Sequence, residues 1–154
     1  TETTGLNLKQ DQLLSIAGIP ASNYRMQLAG SLDFLLEQKA LPGKQSIPIH
    51  GILPGTRRAT QTLSSVLPQL LDVLQNRIIV GHHIRFDIAM LNQQVKQLTG
   101  GTLKNEWLDT ANLARRLPPF RGKPAAQSIA LDDLCTVYGL RPHDRHTAAG
   151  DSFL

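Results

Sequence analysis

At 154 residues, 41% hydrophobic and 18% charged, the chain has enough apolar content for one compact core and too much for a disordered polymer. Every apolar run is shorter than the ~20 residues a helical membrane span needs, and the single cysteine, Cys135, excludes an internal disulfide and a cysteine-rich zinc site. The net charge of +4 and a pI near 9.6 favour polyanionic partners through counterion release.

Residues 12–19 are rich in strand formers and end at Pro20. Tyr24, Met26 and Leu28 then alternate with Arg25 and Gln27, the period of a half-buried strand. After Gly30, Leu32, Phe34 and Leu36 alternate with Asp33, Leu35 and Glu37. Together these predict a β-meander with turns near residues 21–23 and at Gly30. Residues 40–55, with three prolines and three glycines, predict a long surface connection. Leu63, Val66, Leu67, Leu70, Leu71 and Leu74 recur at helical spacing, with Pro68 a candidate kink.

The run Arg77-Ile78-Ile79-Val80-Gly81 predicts a short strand buried on both faces of a parallel sheet. Ile88, Leu91, Val95 and Leu98 define an amphipathic helix stopped by Gly100-Gly101. Leu108-Asp109-Thr110 ends another strand, and residues 111–117 are helical up to Pro118-Pro119. Leu131, Leu134, Cys135 and Tyr138 mark a helix that Ser128 could cap and Gly139 would end. A last helix begins around Thr147. Early strands followed by alternating strand and helix predict an α/β fold, a mixed β-sheet flanked by helices, in one domain over residues 1–154.

Three segments carry the chemistry: Thr1-Glu2-Thr3-Thr4-Gly5-Leu6, then Val80-Gly81-His82-His83-Ile84-Arg85-Phe86-Asp87, then His143-Asp144-Arg145-His146-Thr147-Ala148-Ala149-Gly150-Asp151. The second leaves a strand end and opens a helix, the place where ligands collect in open α/β sheets. Asp87 falls in the first turn of that helix, where the dipole favours a carboxylate. Each residue alone has a plainer reading: Glu2 a solvated carboxylate, Asp87 a helix-start residue, His146 a surface histidine. Were Glu2, Asp87 and Asp151 to converge, each pair at ~4 Å would repel by ~4 kcal/mol at an effective dielectric near 20. Hard divalent cations held by carboxylate oxygens offset such repulsion and serve phosphodiester hydrolysis.

These three blocks, in this order, resemble the DnaQ-like 3′→5′ exonucleases of the DEDDh type, including the proofreading epsilon-type domains of DNA polymerase III. The family's first block reads Asp-x-Glu-Thr-Thr-Gly-Leu, and residues 1–6 match all that follows its first Asp. Its second places a His-Asn pair before Phe-Asp, matched by His82-His83 and Phe86-Asp87 with His83 in place of Asn. Its third, His-x-Ala-x-x-Asp, is matched by His146 through Asp151. Leu108-Asp109-Thr110 and Ile49-His50-Gly51-Ile52 resemble further, non-catalytic family features.

The resemblance implies a ribonuclease H-like fold and 3′→5′ hydrolysis releasing nucleoside monophosphates. It implies two Mg²⁺ or Mn²⁺ ions held by Glu2, Asp87 and Asp151 with a family aspartate that would sit just before Thr1. On that reading the natural chain extends upstream, the first strand is truncated and the domain is trimmed at both ends. His146 would be the general base, and its ordinary pKa near 6.5 suits the task. Thr3, Thr4 and Leu6 would cradle the terminal nucleotide, with His82 and Phe86 also facing substrate and Leu6 and Phe86 offering apolar contact to its base. The expected partners are a single-stranded DNA or RNA 3′ end and a polymerase or other replication or repair protein, with no membrane. A lone cysteine and no visible signal peptide point to the cytoplasm. The rival reading is a catalytically impaired module of the same fold that binds single strands or a protein.

Overall fold

The computed structural model of the chain describes residues 1–37 and 60–154. Its strands are β1 (Glu2–Thr3), β2 (Leu13–Gly18), β3 (Ala21–Ser22), β4 (Arg25–Met26), β5 (Leu32–Leu35), β6 (Ile79–Gly81) and β7 (Trp107–Asp109). Its helices are α1 (Leu63–Leu74), α2 (Arg85–Thr99), α3 (Thr110–Ala114), α4 (Leu131–Tyr138) and α5 (Ala148–Ser152), with a 3-10 turn at Leu28–Gly30. Among the described residues the order β1-β2-β5 forms an antiparallel ladder, β3-β4 a separate hairpin, and β6-β7 a parallel pair. The expected mixed α/β architecture is present. The 40–55 connection and the Ile49-His50-Gly51-Ile52 feature lie outside the described residues.

The leucine spacing read as a helix forms α1, which begins where Thr62 Oγ1 accepts the Ser65 N–H at 3.2 Å. The helix continues past Pro68, whose missing N–H removes only one bond of the ladder. Its buried face, Val66, Leu67 and Leu70, meets Leu13, Ile16, Leu32, Phe34 and Leu36 from β2, β5 and the residue after β5, with Met90, Leu91 and Val95 of α2 completing the cluster. Burial of each such side chain stabilises by roughly 1.5–3 kcal/mol before entropy is counted. A second cluster, Ala111, Ala114, Phe120, Ile129 and Leu134, joins α3 to α4. Helices α2 and α4 stop at left-handed Gly100 and Gly139, as expected.

Three expectations are corrected. The alternation at residues 24–28 is not a core strand: β2 pairs directly with β5, and the intervening hairpin points outward, with Tyr24 fully exposed. Val80, expected to be buried on both faces, is 59% exposed, because β6 has β7 on one side and no other described strand on its far side. Helix α4 is capped by Asp133 rather than Ser128: the Asp133 carboxylate accepts the Ala130 N–H at 3.1 Å. Ser128 instead lies 3.4 Å from His83 Nε2.

Candidate active site

Strand β2 organises the carboxylates. It pairs with β1 on one side, setting Glu2 opposite Ser15, and α5, carrying Asp151, packs against it. Asp87 is the third residue of α2 and is tied to the start of β1, since the Thr1 nitrogen donates to its Oδ1 at 2.9 Å and Thr1 Oγ1 at 2.6 Å. Three segments remote in sequence are thereby drawn together. The electrostatics of Glu2 record it: its pKa is raised to about 7. Burial raises it most, the Thr1 amino group opposes, Asp151 and Asp87 raise it further, and Arg145 opposes.

The carboxylates are within electrostatic reach but not at ligating distance. Among the described residues no three His, Cys, Asp or Glu side chains stand close enough to share one ion. Instead Arg145 fills the gap: its guanidinium donates to Asp151 Oδ1 through NH1 and to Asp132 Oδ1 through Nε at 2.9 Å. That second contact holds the exposed Asp132 carboxyl below its ordinary range. The donor set is hard carboxylate oxygen, the type that suits Mg²⁺ or Mn²⁺, but in this arrangement Arg145 rather than an ion bridges Asp151 and Asp132.

His146 sits two residues before the start of α5, is exposed, and carries φ +62°. It bonds to none of the three carboxylates, and its electrostatic influence falls on Asp132. Asp144 and His83 share the left-handed backbone, at +51° and +52°, a conformation that costs a non-glycine residue on the order of 1 kcal/mol and concentrates at functional sites. The turn holding His146 is clamped by Thr147, whose Oγ1 donates to Asp144 O at 2.7 Å and accepts the Gly150 N–H at 2.9 Å. Gly150 is required there: a Cβ would overlap the Asp144 carbonyl oxygen and lie 2.7 Å from His143 O.

The proposed nucleotide cradle is a turn closed around Asp11. Thr4 Oγ1 donates to Asp11 Oδ1 at 2.7 Å, the Asn7 N–H reaches Oδ2 at 2.7 Å, and Thr3 Oγ1 donates to Gly5 O at 2.7 Å. Leu6 projects from it, 82% exposed, as apolar surface. Phe86 is half-buried and packs against the main core. His82 is engaged at both ring nitrogens: Nε2 donates to Ile129 O at 2.9 Å, so Nδ1 accepts from Thr110 Oγ1 at 2.9 Å. Burial and the neighbouring His83 lower its pKa, in keeping with that neutral form. Motif reading passed over Asp132, and gave no role to Arg145, which stood only inside the third segment, or to Asp109, which stood only in a non-catalytic feature. The Asp109 carboxylate accepts the His83 N–H at 3.3 Å and the Ala111 N–H at 2.9 Å. Its buried acid at a strand end was the available signal.

Among the described residues no helix is long and apolar enough to cross a membrane. The chain is 28% identical to the DNA polymerase III PolC-type of Thermotoga petrophila over 98% of its own length, and spans about 10% of that relative. It is 24% identical to the DNA polymerase III subunit epsilon of Aquifex aeolicus, covering 99% of this chain and 72% of the relative. Its fold superposes on exonuclease X, solved in complex with 5′ overhanging duplex DNA, with a TM-score of 0.71 and 22% identity over 99% of this chain and 80% of the other. It also superposes on exonuclease I from Methylocaldum szegediense, with a TM-score of 0.77 and 19% identity over 99% of this chain and 36% of the other. The family model described as "Exonuclease" matches residues 1–153, and the chain belongs to the exonuclease family.

Proposed function

We propose that residues 1–154 act as one exonuclease domain that removes nucleoside monophosphates from the 3′ end of a single-stranded nucleic acid. The observation that carries this reading is the meeting of three remote acidic segments: β1 with Glu2 and α5 with Asp151 both pack on β2, and Asp87 of α2 is tied to Thr1 at the start of β1. Glu2, Asp87 and Asp151 would help to hold two Mg²⁺ or Mn²⁺ ions, which would supply charge neutralisation and polarisation of water and the scissile phosphate. Glu2 would serve as a ligand in its deprotonated form. Asp87 is held in position by Thr1 Oγ1, and Asp151, which accepts from Arg145, would be the third carboxylate ligand. His146 takes the proton of the attacking water, the general-base role, and the turn of Thr3, Thr4 and Leu6 receives the terminal nucleotide.

Similarity to DNA polymerase III epsilon and PolC-type proteins makes a polymerase a candidate partner. The test is a 5′-labelled oligonucleotide incubated with Mg²⁺, Mn²⁺ or EDTA. A descending ladder that EDTA abolishes is expected; products starting from the 5′ end, or an EDTA-insensitive ladder, would overturn the reading. A second reading, a module that grips single strands without cutting, draws support from the Arg145 contact on Asp151 and from the absence of three ligating side chains together among the described residues. Binding without cleavage in the same assay would select it.

A further inference from the structure

The Arg145 guanidinium joins α4, α5 and the turn that carries His146. It donates through Nε to Asp132 Oδ1 at 2.9 Å, in the first turn of α4, and through NH1 to Asp151 Oδ1 in α5. Arg145 itself lies in the turn that the Thr147 N–H closes onto Asp144 O at 3.2 Å. Its chain neighbours on both sides, Asp144 and His146, have left-handed backbone at φ +51° and +62°. That conformation is uncommon outside glycine and persists where the surroundings hold it. On the α5 side the holding contacts are Thr147 Oγ1, bonded to Asp144 O and the Gly150 N–H, and the close packing of Gly150. The link from the turn to α4 runs through Arg145 and Asp132.

Asp132 is not the cap of α4. That part falls to Asp133, which accepts the Ala130 N–H, while the Asp132 side chain is 66% exposed. An exposed ion pair contributes little to stability. The Asp132 charge faces the turn instead: Arg145 holds its carboxyl below the ordinary range, and His146 pulls in the same direction. A guanidinium is planar and rigid, so carboxylates bonded to it keep a set separation. We infer that Asp132 is a positioning residue for the proposed hydrolysis: acting through Arg145, it fixes the turn that carries His146 and hence the placement of that imidazole relative to Asp151. This rests on the proposed exonuclease reading and adds to it a residue outside the three motif segments. Proton transfer from an attacking water tolerates little misplacement, since ~1 Å can cost about 10²-fold in rate.

Nuclear magnetic resonance of the metal-free chain with isotope-labelled histidine reads this placement without requiring turnover. Asp132→Ala should move the His146 ring signal, while the His82 ring, held by Thr110 and Ile129, stays where it is. Amide exchange at Thr147, whose N–H closes the turn, should quicken by about 10-fold. Arg145→Lys, whose single ammonium cannot reproduce the planar fork, should act on the ring and the amide in the same way. On a 5′-labelled oligonucleotide with Mg²⁺, Asp132→Ala should lower kcat by about 10-fold with KM within about 2-fold, and Asp132→Glu should recover most of the loss. The thermal midpoint should hardly change, because the pair is exposed on the Asp132 side. An unmoved His146 ring and Thr147 exchange rate in Asp132→Ala would overturn the assignment. So would a kcat loss that accompanies a lowered thermal midpoint and that Asp132→Glu does not recover. Absence of cleavage by the unmodified chain, with the His146 ring still released by Asp132→Ala, would count against the exonuclease reading alone.

Discussion

Arg145 donates its guanidinium to Asp151, so a cation occupies the acidic pocket from within the chain. A divalent ion reaching Asp151 would compete with that contact. Arg145→Gln should therefore tighten Mn²⁺ binding by about 5–10-fold, equivalent to ~1–1.4 kcal/mol. Isothermal titration measures it, and unchanged or weaker affinity would show that Arg145 does not compete.

The Glu2 carboxyl, raised to about 7, links stability to pH and, on the proposed reading, would link metal binding to it as well. Its folded pKa lies above the unfolded value, so the folded state holds the proton more firmly. The associated stability is full below pH ~4.5 and is lost as pH rises through about 7. In metal-free protein, Glu2→Gln should raise Tm relative to the unmodified chain at pH 8 but not at pH 4. After allowance for solvent screening the gain is roughly 1–2 kcal/mol. Mn²⁺ affinity should climb over pH 6–8 with proton release, detectable by titration in buffers of different ionisation enthalpy. A pH-independent difference between the two proteins would refute the coupling.

His146→Asn retains a side chain that tolerates left-handed backbone while removing the imidazole. Turnover on a single-stranded oligonucleotide should fall by about 10²–10⁴-fold, the usual value of a general base, with Mn²⁺ binding preserved. Activity within a few-fold of the unmodified chain would remove His146 from the chemistry.

Gly150→Ala forces a methyl group into the Asp144 carbonyl. Overpacking against backbone typically costs ~1–3 kcal/mol. A lower denaturant midpoint is expected together with a drop in kcat, because His146 and Asp151 flank the same contact. A fully stable, fully active variant would show that the turn can relax.

Much of this was legible in the sequence because it rests on local rules. The leucine period of α1, the glycine stops after α2 and α4, and the Thr147 start of α5 all follow from spacing and capping, and all are present. The three acidic motifs were visible as segments, and their family match supplied the expectation that they meet. What escaped was long-range. Tyr24, Met26 and Leu28 obey strand alternation, yet nothing in that alternation reveals that β2 pairs past them with β5. Val80 looks like a core residue until the position of β6 in its ladder is known. Arg145 and Asp132 become meaningful only when α4 and the turn before α5 are side by side.

Asp109 ends β7, opposite Gly81 at the end of β6, and a single oxygen of its carboxylate receives the N–H groups of His83 and Ala111. Two chain reversals, one leading to α2 and one to α3, are thereby pinned to one atom. The turn that opens α2, on which Asp87 stands, and the turn that opens α3 therefore share one anchor, and loss of that oxygen would loosen both together.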